Sequence, residues 1–310
     1  MIDFKYHVVS LIAVFLAIAL GIIIGTTALN GGIVNNLQSN VSQLSDDKRD
    51  LENRINGLNT QIENNSEFDA AVAGQLVDGT MTGQNFIVIT VGSSVTAELR
   101  DPIIQMLQAA GASNTGSISL TDAYSDPEQA DQLLNYASDD PPPGISLPES
   151  SDAGAVAGAL LAAMLVAPQG GSGQPAASIQ TVLSGLGGLG VLNVDSTEVT
   201  PAQNFVIVTS GEAPSPADKR NAAVLALATA LDQAGGRVVI AGDLDSAGSG
   251  GLIAAANADA AASSAISTVN TATTASGQVN VAWALIAEGK GNSGRYGALA
   301  DDEPIAPAPE

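Results

Sequence analysis

The sequence predicts an α/β protein carried on one N-terminal membrane helix, and three stretches predict it. An uncharged apolar run opens the chain, an unbroken heptad follows, and short all-apolar strands then alternate with helices. Of 310 residues, 45% are hydrophobic, which is enough for one sizeable α/β domain or two small ones beside the anchor.

From Val8 to Ile24 every residue except Ser10 and Gly21 is apolar, and no charge appears between His7 and Asp46. About 20 such residues cross a bilayer, so 8–29 reads as a transmembrane anchor. A secretory signal peptide competes, with Thr26 and Ala28 as a small-residue cleavage site. Against it, the apolar core is long and only Lys5 supplies positive charge ahead of it. Ala17, Gly21 and Gly25 recur at four-residue spacing, a small-residue face that lets two membrane helices approach closely. Gly and Ala are common in membrane helices, so that motif is weak by itself. Residues 1–7 form a short N-terminus, and no Lys or Arg follows Lys5 before Lys48. The slight positive-inside bias places the N-terminus in the cytoplasm and the remainder outside it.

After Asn30-Gly31-Gly32 the pattern becomes a heptad over 33–63. Val34, Val41, Lys48, Ile55 and Ile62 take the a positions, and Leu37, Leu44, Leu51 and Leu58 the d positions. β-Branched a with leucine d favours a parallel two-stranded coiled coil, and one Lys at a holds register at some cost in stability. The expectation is a homodimer whose rod is roughly 43 Å long. A single amphipathic helix packed on its own domain is the alternative, but it normally shows a wider apolar face than an a/d seam. Asp47 at g and Glu52 at the next e would repel across the dimer, so charge pairing does not help specify it.

Polar residues 64–84 read as a hinge into an α/β domain over 84–300. Phe86-Ile87-Val88-Ile89-Thr90-Val91 is a buried-strand pattern, followed by a helix begun at Asp101-Pro102 and stopped by Gly111. Ser117 to Leu120 is the next strand, and Asp126-Pro127-Glu128 opens another helix. Gln203-Asn204-Phe205-Val206-Ile207-Val208-Thr209 repeats Gln84-Asn85-Phe86-Ile87-Val88-Ile89-Thr90 and also leads to a Pro-started helix, here from Ser215-Pro216 to Gly235-Gly236. The domain thus reads as two related βα units, 84–138 and 203–300. Chance likeness of apolar strands is the alternative, though the shared Gln-Asn-Phe favours duplication. Arg237 to Ala241 is a strand, 251–258 a short helix, 266–269 a strand and 279–287 a last helix. Alternation with all-apolar strands predicts a mainly parallel, Rossmann-like sheet covered on both faces.

Between the units, Asp139-Asp140-Pro141-Pro142-Pro143-Gly144 reads as a stiff linker and Gln169 to Gln174 as a flexible loop. Residues 153–167 are apolar all round. At about 15 residues they are short for a second membrane pass and suit a buried helix. The Pro-rich tail 301–310 reads as disordered.

The net charge of −22 and pI near 4.1 argue against nucleic acid and anionic headgroups as partners. There is no cysteine, and the lone histidine, His7, precedes the anchor. Imidazole- or thiol-based triads and His-ligated zinc are therefore excluded beyond the anchor, and no catalytic, cofactor or metal residue is assigned. A carboxylate-only hydrolase is allowed by the many Asp and Glu, but no pair stands out. The Gly242-Asp243-Leu244-Asp245 and Gly248-Ser249-Gly250-Gly251 stretches lie where α/β sheets bind ligands. They lack the Lys of a phosphate loop and carry carboxylates, so a plain turn is the reading, and Gly92-Ser93-Ser94 is weaker still.

Met1-Ile2-Asp3-Phe4-Lys5-Tyr6-His7-Val8-Val9-Ser10-Leu11, with the run ending Leu20-Gly21-Ile22-Ile23-Ile24-Gly25, resembles the start of the actinobacterial, MctB-like family named after mycobacterial copper transport protein B. The resemblance covers most of the chain. It implies a single-anchor envelope protein filed under copper transport, with corynebacterial relatives that act in cell separation beside a membrane partner. Copper as a cofactor rests on that resemblance alone. Cu(I) selects thiolate and thioether and Cu(II) favours imidazole, and the sulfur donors are only Met1, Met81, Met106 and Met164, with Met106 and Met164 on predicted core faces. A single span also makes no pore. The expectation is a non-catalytic scaffold or regulator of envelope and cell-separation machinery. It pairs with itself, with the cytoplasmic membrane and with another envelope protein, and the alternative is a copper transport or channel component.

Overall fold

The chain is described by a computed structural model covering residues 4–139, 141–168 and 173–309, with the backbone alone for 27–35. It divides into two units, residues 1–65 and 66–310. In the first, helix α1 (Phe4–Val77) runs through Asn30-Gly31-Gly32 without interruption, so the change of sequence pattern there is not a change of backbone. The most apolar 18 residues within 4–26 have a mean hydropathy of 3.0 with none of them buried, and by length and composition the stretch can cross a membrane. Added side chains on Gly21 and Gly25 would meet nothing within 4 Å, so the small-residue face is open in the single chain.

The apolar heptad residues are equally uncovered. Leu37, Val41, Leu44, Leu51, Ile55, Leu58 and Ile62 are between 55% and 70% exposed. The side chain of Val34 lies outside the described residues. Lys48 reaches Glu52 at 3.4 Å on its own helix, which gives that e-position carboxylate a partner within the chain.

In the second unit α1 continues to Val77, where a polar hinge was expected. Ala73 and Val77 explain the difference: both are buried in the domain, so two small apolar side chains one turn apart hold the last turns helical. Only 78–84 is a turn. Gly79 and Gly83 take positive φ there, and the Met81 N–H donates to the Ala110 carbonyl at 2.8 Å.

The domain is a seven-stranded sheet in the order β3-β2-β1-β4-β5-β6-β7. The strands are β1 (Asn85–Val91), β2 (Ser113–Leu120), β3 (Leu192–Val194), β4 (Asn204–Thr209), β5 (Arg237–Gly242), β6 (Ser267–Val269) and β7 (Arg295–Tyr296), all parallel except β3. One face of β1 and β4 buries Ile87, Ile89, Phe205 and Ile207 under helices α3 (Ala130–Ser138), α4 (Ala153–Leu165), α5 (Ala176–Gly188), α6 (Ala217–Gln233) and α7 (Leu252–Ala258). The other face buries Phe86, Val88, Val206 and Val208 under the end of α1, helix α2 (Ala97–Ala109) and helix α9 (Ala275–Glu288), while α8 (Ala262–Ala265) is a short turn before β6. Burial on both faces is why these strands are apolar at every position.

The two repeated stretches are β1 and β4, lying side by side in parallel. Their units share hydrogen-bond details. Ser113 N–H donates to the Gln84 carbonyl at 2.9 Å, and Arg237 N–H to the Gln203 carbonyl at 2.8 Å. Both following helices end on a left-handed glycine, Gly111 and Gly235, with Ala112 N–H to Leu107 O at 3.1 Å and Gly236 N–H to Leu231 O at 2.9 Å. The Gln-Asn motif also clips the strands together: the buried Asn204 amide donates to Asn85 O at 2.9 Å, and Arg237 donates to Gln84 Oε1 at 2.8 Å.

Several sequence boundaries move. Helix α2 starts at N-cap Thr96, leaving Pro102 inside it, and α3 starts after Gln129. The tail, read as disordered, is held over 301–309. Asn280 donates to Pro304 O at 3.1 Å and accepts from Ala306 N–H at 2.9 Å, Asn270 donates to Asp302 at 2.6 Å, and Ala306 is buried. The apolar helix α4 is a core helix of 13 residues, capped by Asp152, whose carboxylate accepts from Gly154 N–H at 2.9 Å. Added Cβ atoms on Gly154 and Gly158 would lie 2.8 Å from the Cα atoms of Ala223 and Leu227, so α4 and α6 touch backbone to backbone.

Gly158→Val is therefore expected to overpack the α4–α6 contact and destabilise the domain by about 1–3 kcal/mol. Urea unfolding followed by the fluorescence of Trp283, the chain's single and buried tryptophan, measures this as a lowered midpoint.

Candidate functional site

Strand β1 leads through α2 to β2 on one side, while β4 leads through α6 to β5 on the other, so the winding direction reverses between β1 and β4. Open parallel sheets present a crevice at the carboxyl ends of the strands at such a reversal. Here it is a hollow of about 90 Å³. Gly92, Ser93 and Ser94 after β1, Asp122 after β2, Ser210 and Glu212 after β4, and Arg220 and Asn221 on α6 line it.

Most of its polar atoms are already engaged. Ser93 donates to Asp122 Oδ2 at 3.3 Å and Ser94 to Ser210 O at 2.9 Å, which ties the two strand ends together. Ser210 donates to Asp243 Oδ2 at 2.6 Å, while Asp243 Oδ1 accepts from the N–H groups of Gly211 at 3.0 Å and Ser246 at 2.9 Å. Burial by itself would raise the Asp243 carboxyl, but the bonds from Ser210, Gly211 and Ser246 together hold it below its ordinary value. A Cβ on Gly242 would meet Thr209 O at 2.7 Å, so the loop after β5 needs glycine for close packing. The Gly242–Gly251 loop is thus a self-satisfied turn that braces the crevice from behind.

Arg220 is the feature that no sequence signal marked. It is buried, donates through Nη1 to Asp122 O at 2.6 Å, pairs through Nη2 with Asp126 at 3.3 Å, and its Nε has no partner among the described residues. One arginine beside Asp122, Asp126 and Glu212 leaves the surroundings acidic, which disfavours phosphate. Neither Ser–carboxylate pair contains an imidazole to take the serine proton, so the crevice has no activated nucleophile of the usual kind.

Nor do donors for a soft metal gather. Among the described residues no group of three or more His, Cys, Asp or Glu is placed to hold a metal ion. Met81 and Met164 are fully buried in the core and Met106 is partly buried against it, while His7 lies on the exposed apolar part of α1. The seam residues of α1 and the Gly21–Gly25 face belong to the first unit, and the crevice residues to the second.

Fold and site together define an α/β protein with one N-terminal helix fit to anchor in a membrane and a polar crevice free of imidazole and thiol. The chain belongs to the family described as copper transport outer membrane protein, MctB, whose model matches residues 1–307. It is similar to the copper transporter MctB of Mycobacterium tuberculosis, at 26% identity over 263 residues with 80% of each chain covered. It is likewise similar to the copper transporter MctB of Mycobacterium leprae, at 27% over 266 residues with 80% of each covered.

Asp243→Asn is expected to cost about 1–3 kcal/mol at pH 7, because an amide cannot accept all of these bonds. The sign follows from the lowered carboxyl. Its stabilisation is full above the ordinary value of 3.8 and is lost as pH falls through the lower folded value. Urea midpoints of the two proteins should therefore differ at neutral pH and converge on acidification.

Proposed function

We propose that the protein is a parallel homodimer, anchored in the cytoplasmic membrane with its α/β domain outside the cytoplasm, and that it acts as a non-catalytic scaffold or regulator of envelope machinery. The observation that carries this reading is the apolar stripe of α1. Seven a and d side chains stand more than half exposed in the single chain. Fully burying such side chains is worth about 1.5–3 kcal/mol each, and a second copy in register is the cover that a β-branched a, leucine d pattern selects. Two N-termini in one membrane make the pairing parallel. The open Ala17, Gly21, Gly25 face is compatible with the same pairing inside the bilayer.

Lys5 ahead of the span and the lack of any Lys or Arg between it and Lys48 support the cytoplasmic N-terminus. The strand order supports a Rossmann-like domain, and a crevice without imidazole or thiol supports binding rather than catalysis. Other envelope or membrane proteins are the partners a scaffold of this kind would position.

Copper transport is the second reading, and the printed names of the family and its relatives favour it. Against it stand the burial of Met81 and Met164 and the single span found among the described residues. The readings part on metal: copper affinity that survives competition with a histidine-containing chelator belongs to the transporter.

Leu44→Glu combined with Leu51→Glu would bury unpaired charge in the seam at a cost of several kcal/mol. Light scattering of the detergent-solubilised full chain is expected to fall from dimer to monomer, with the Trp283 emission of the folded domain unchanged. A double variant that stays dimeric would show that the heptad is not the interface.

A further inference from the structure

Where α1 joins the domain its heptad phase still runs. Counting on from Ile62 places Asn65 at d, Phe68 at g, Asp69 at a, Val72 at d, Ala73 at e and Leu76 at a. Phe68 is 66% exposed. Every other aromatic side chain beyond the membrane-spanning stretch is buried or half-buried, so this phenyl ring is uncovered where the rest of the domain covers such groups.

One turn further along, α1 forms a wall of an open apolar groove of about 160 Å³. Val72, Ala73 and Leu76 line that wall, and Val279, Pro304 and Ile305 line the other. The rims are left apolar and unpaired, with Leu76 49% and Ile305 55% exposed. The groove exists because the tail is held against α9 by the Asn280 bonds to Pro304 and Ala306.

In a parallel two-stranded coil the g and e positions flank the seam and face each other across the chains. A g residue lies beside the e residue of the partner helix's following heptad, so Phe68 of one copy lies beside Ala73 of the other. Ala73, the smallest side chain lining the groove, is buried and forms its floor. Asn65 and Asp69 also weaken the seam at this level, because two aspartates facing at an a layer repel. A long flat side chain at the flank is what still bridges a seam that opens there. Asp69 lines the same groove, and its carboxylate suits the electropositive edge of a phenyl ring.

We infer that Phe68 of each copy seats in the groove of the other, between Ala73 and Ile305, so that a reciprocal aromatic clasp closes the dimer at the base of the domains. The clasp rests on the dimer reading and adds what a heptad alone does not supply, a contact that fixes the two domains against each other. An isologous pair of such contacts is the form that two-fold symmetry requires.

The chain has no cysteine, which makes crosslinking unambiguous. Full-length Phe68→Cys and Ile305→Cys chains carrying different tags would be co-expressed, solubilised and treated with a short bismaleimide. Leu44→Cys, oxidised separately, reports on the seam. The clasp predicts a mixed-tag 68–305 product together with the Leu44→Cys disulfide dimer. A Leu44→Cys dimer without the mixed product, or with 68–68 products alone, overturns the clasp and leaves the dimer standing. Absence of both products overturns the clasp and the dimer reading together.

Discussion

The apolar stripe running from Leu37 to Ile62 is the constraint on which the rest of the account turns, because nothing else in the described chain covers it. A stripe two positions wide per heptad is too narrow to dock on a sheet and too continuous to be left in water. In the proposed dimer its cover also sets the geometry of everything attached to it. Two membrane segments enter side by side, and two domains leave from one stem. The continuation of α1 to Val77 matters here: because Ala73 and Val77 belong to the domain core, the domain begins on the same helix that carries the stripe.

The domain itself is built to be rigid at its centre. Matching units β1-α2-β2 and β4-α6-β5 meet at β1 and β4, clipped at one end by the Gln84–Asn204–Arg237 bonds and tied at the other by Ser94 to Ser210. That second tie lies across the crevice at the carboxyl ends of the strands. Serines, carboxylates and the single buried arginine there mostly satisfy one another, and Asp243 holds the loop behind them. The chemistry of the crevice is thus directed inward, most of its polar groups being bonded to one another. Among the described thioethers that would attract Cu(I), Met81 and Met164 fill the core and Met106 is partly buried against it.

Much of this architecture is legible in the residues, and the illegible parts share a cause. Buried central strands announce themselves because both faces demand apolar, β-branched side chains, as in Phe86–Val91 and Phe205–Val208. The fully apolar α4 could be separated from a membrane span by length alone. Edge strands β3 and β7, of 3 and 2 residues, leave no periodicity to find. Helix α5 hides in a Gly- and Ser-rich stretch, and the end of α1 hides because the only side chains it buries are the small Ala73 and Val77, after the polar run 63–67. The tail looked disordered from its prolines and acids, yet two bonds from Asn280 hold it, and such a partner is remote in sequence. Arg220 was invisible for the same reason: its role depends on Asp122 and Asp126, which only the fold brings near.

Family membership and the apolar first helix make an MctB-like envelope protein of this chain, and the proposed function rests on the stem. Sedimentation equilibrium of the intact chain in density-matched detergent micelles tests that claim most directly. The account predicts a protein mass of two 30.9 kDa chains at concentrations where the anchor alone is dilute in micelles, while a single-chain mass throughout would contradict it.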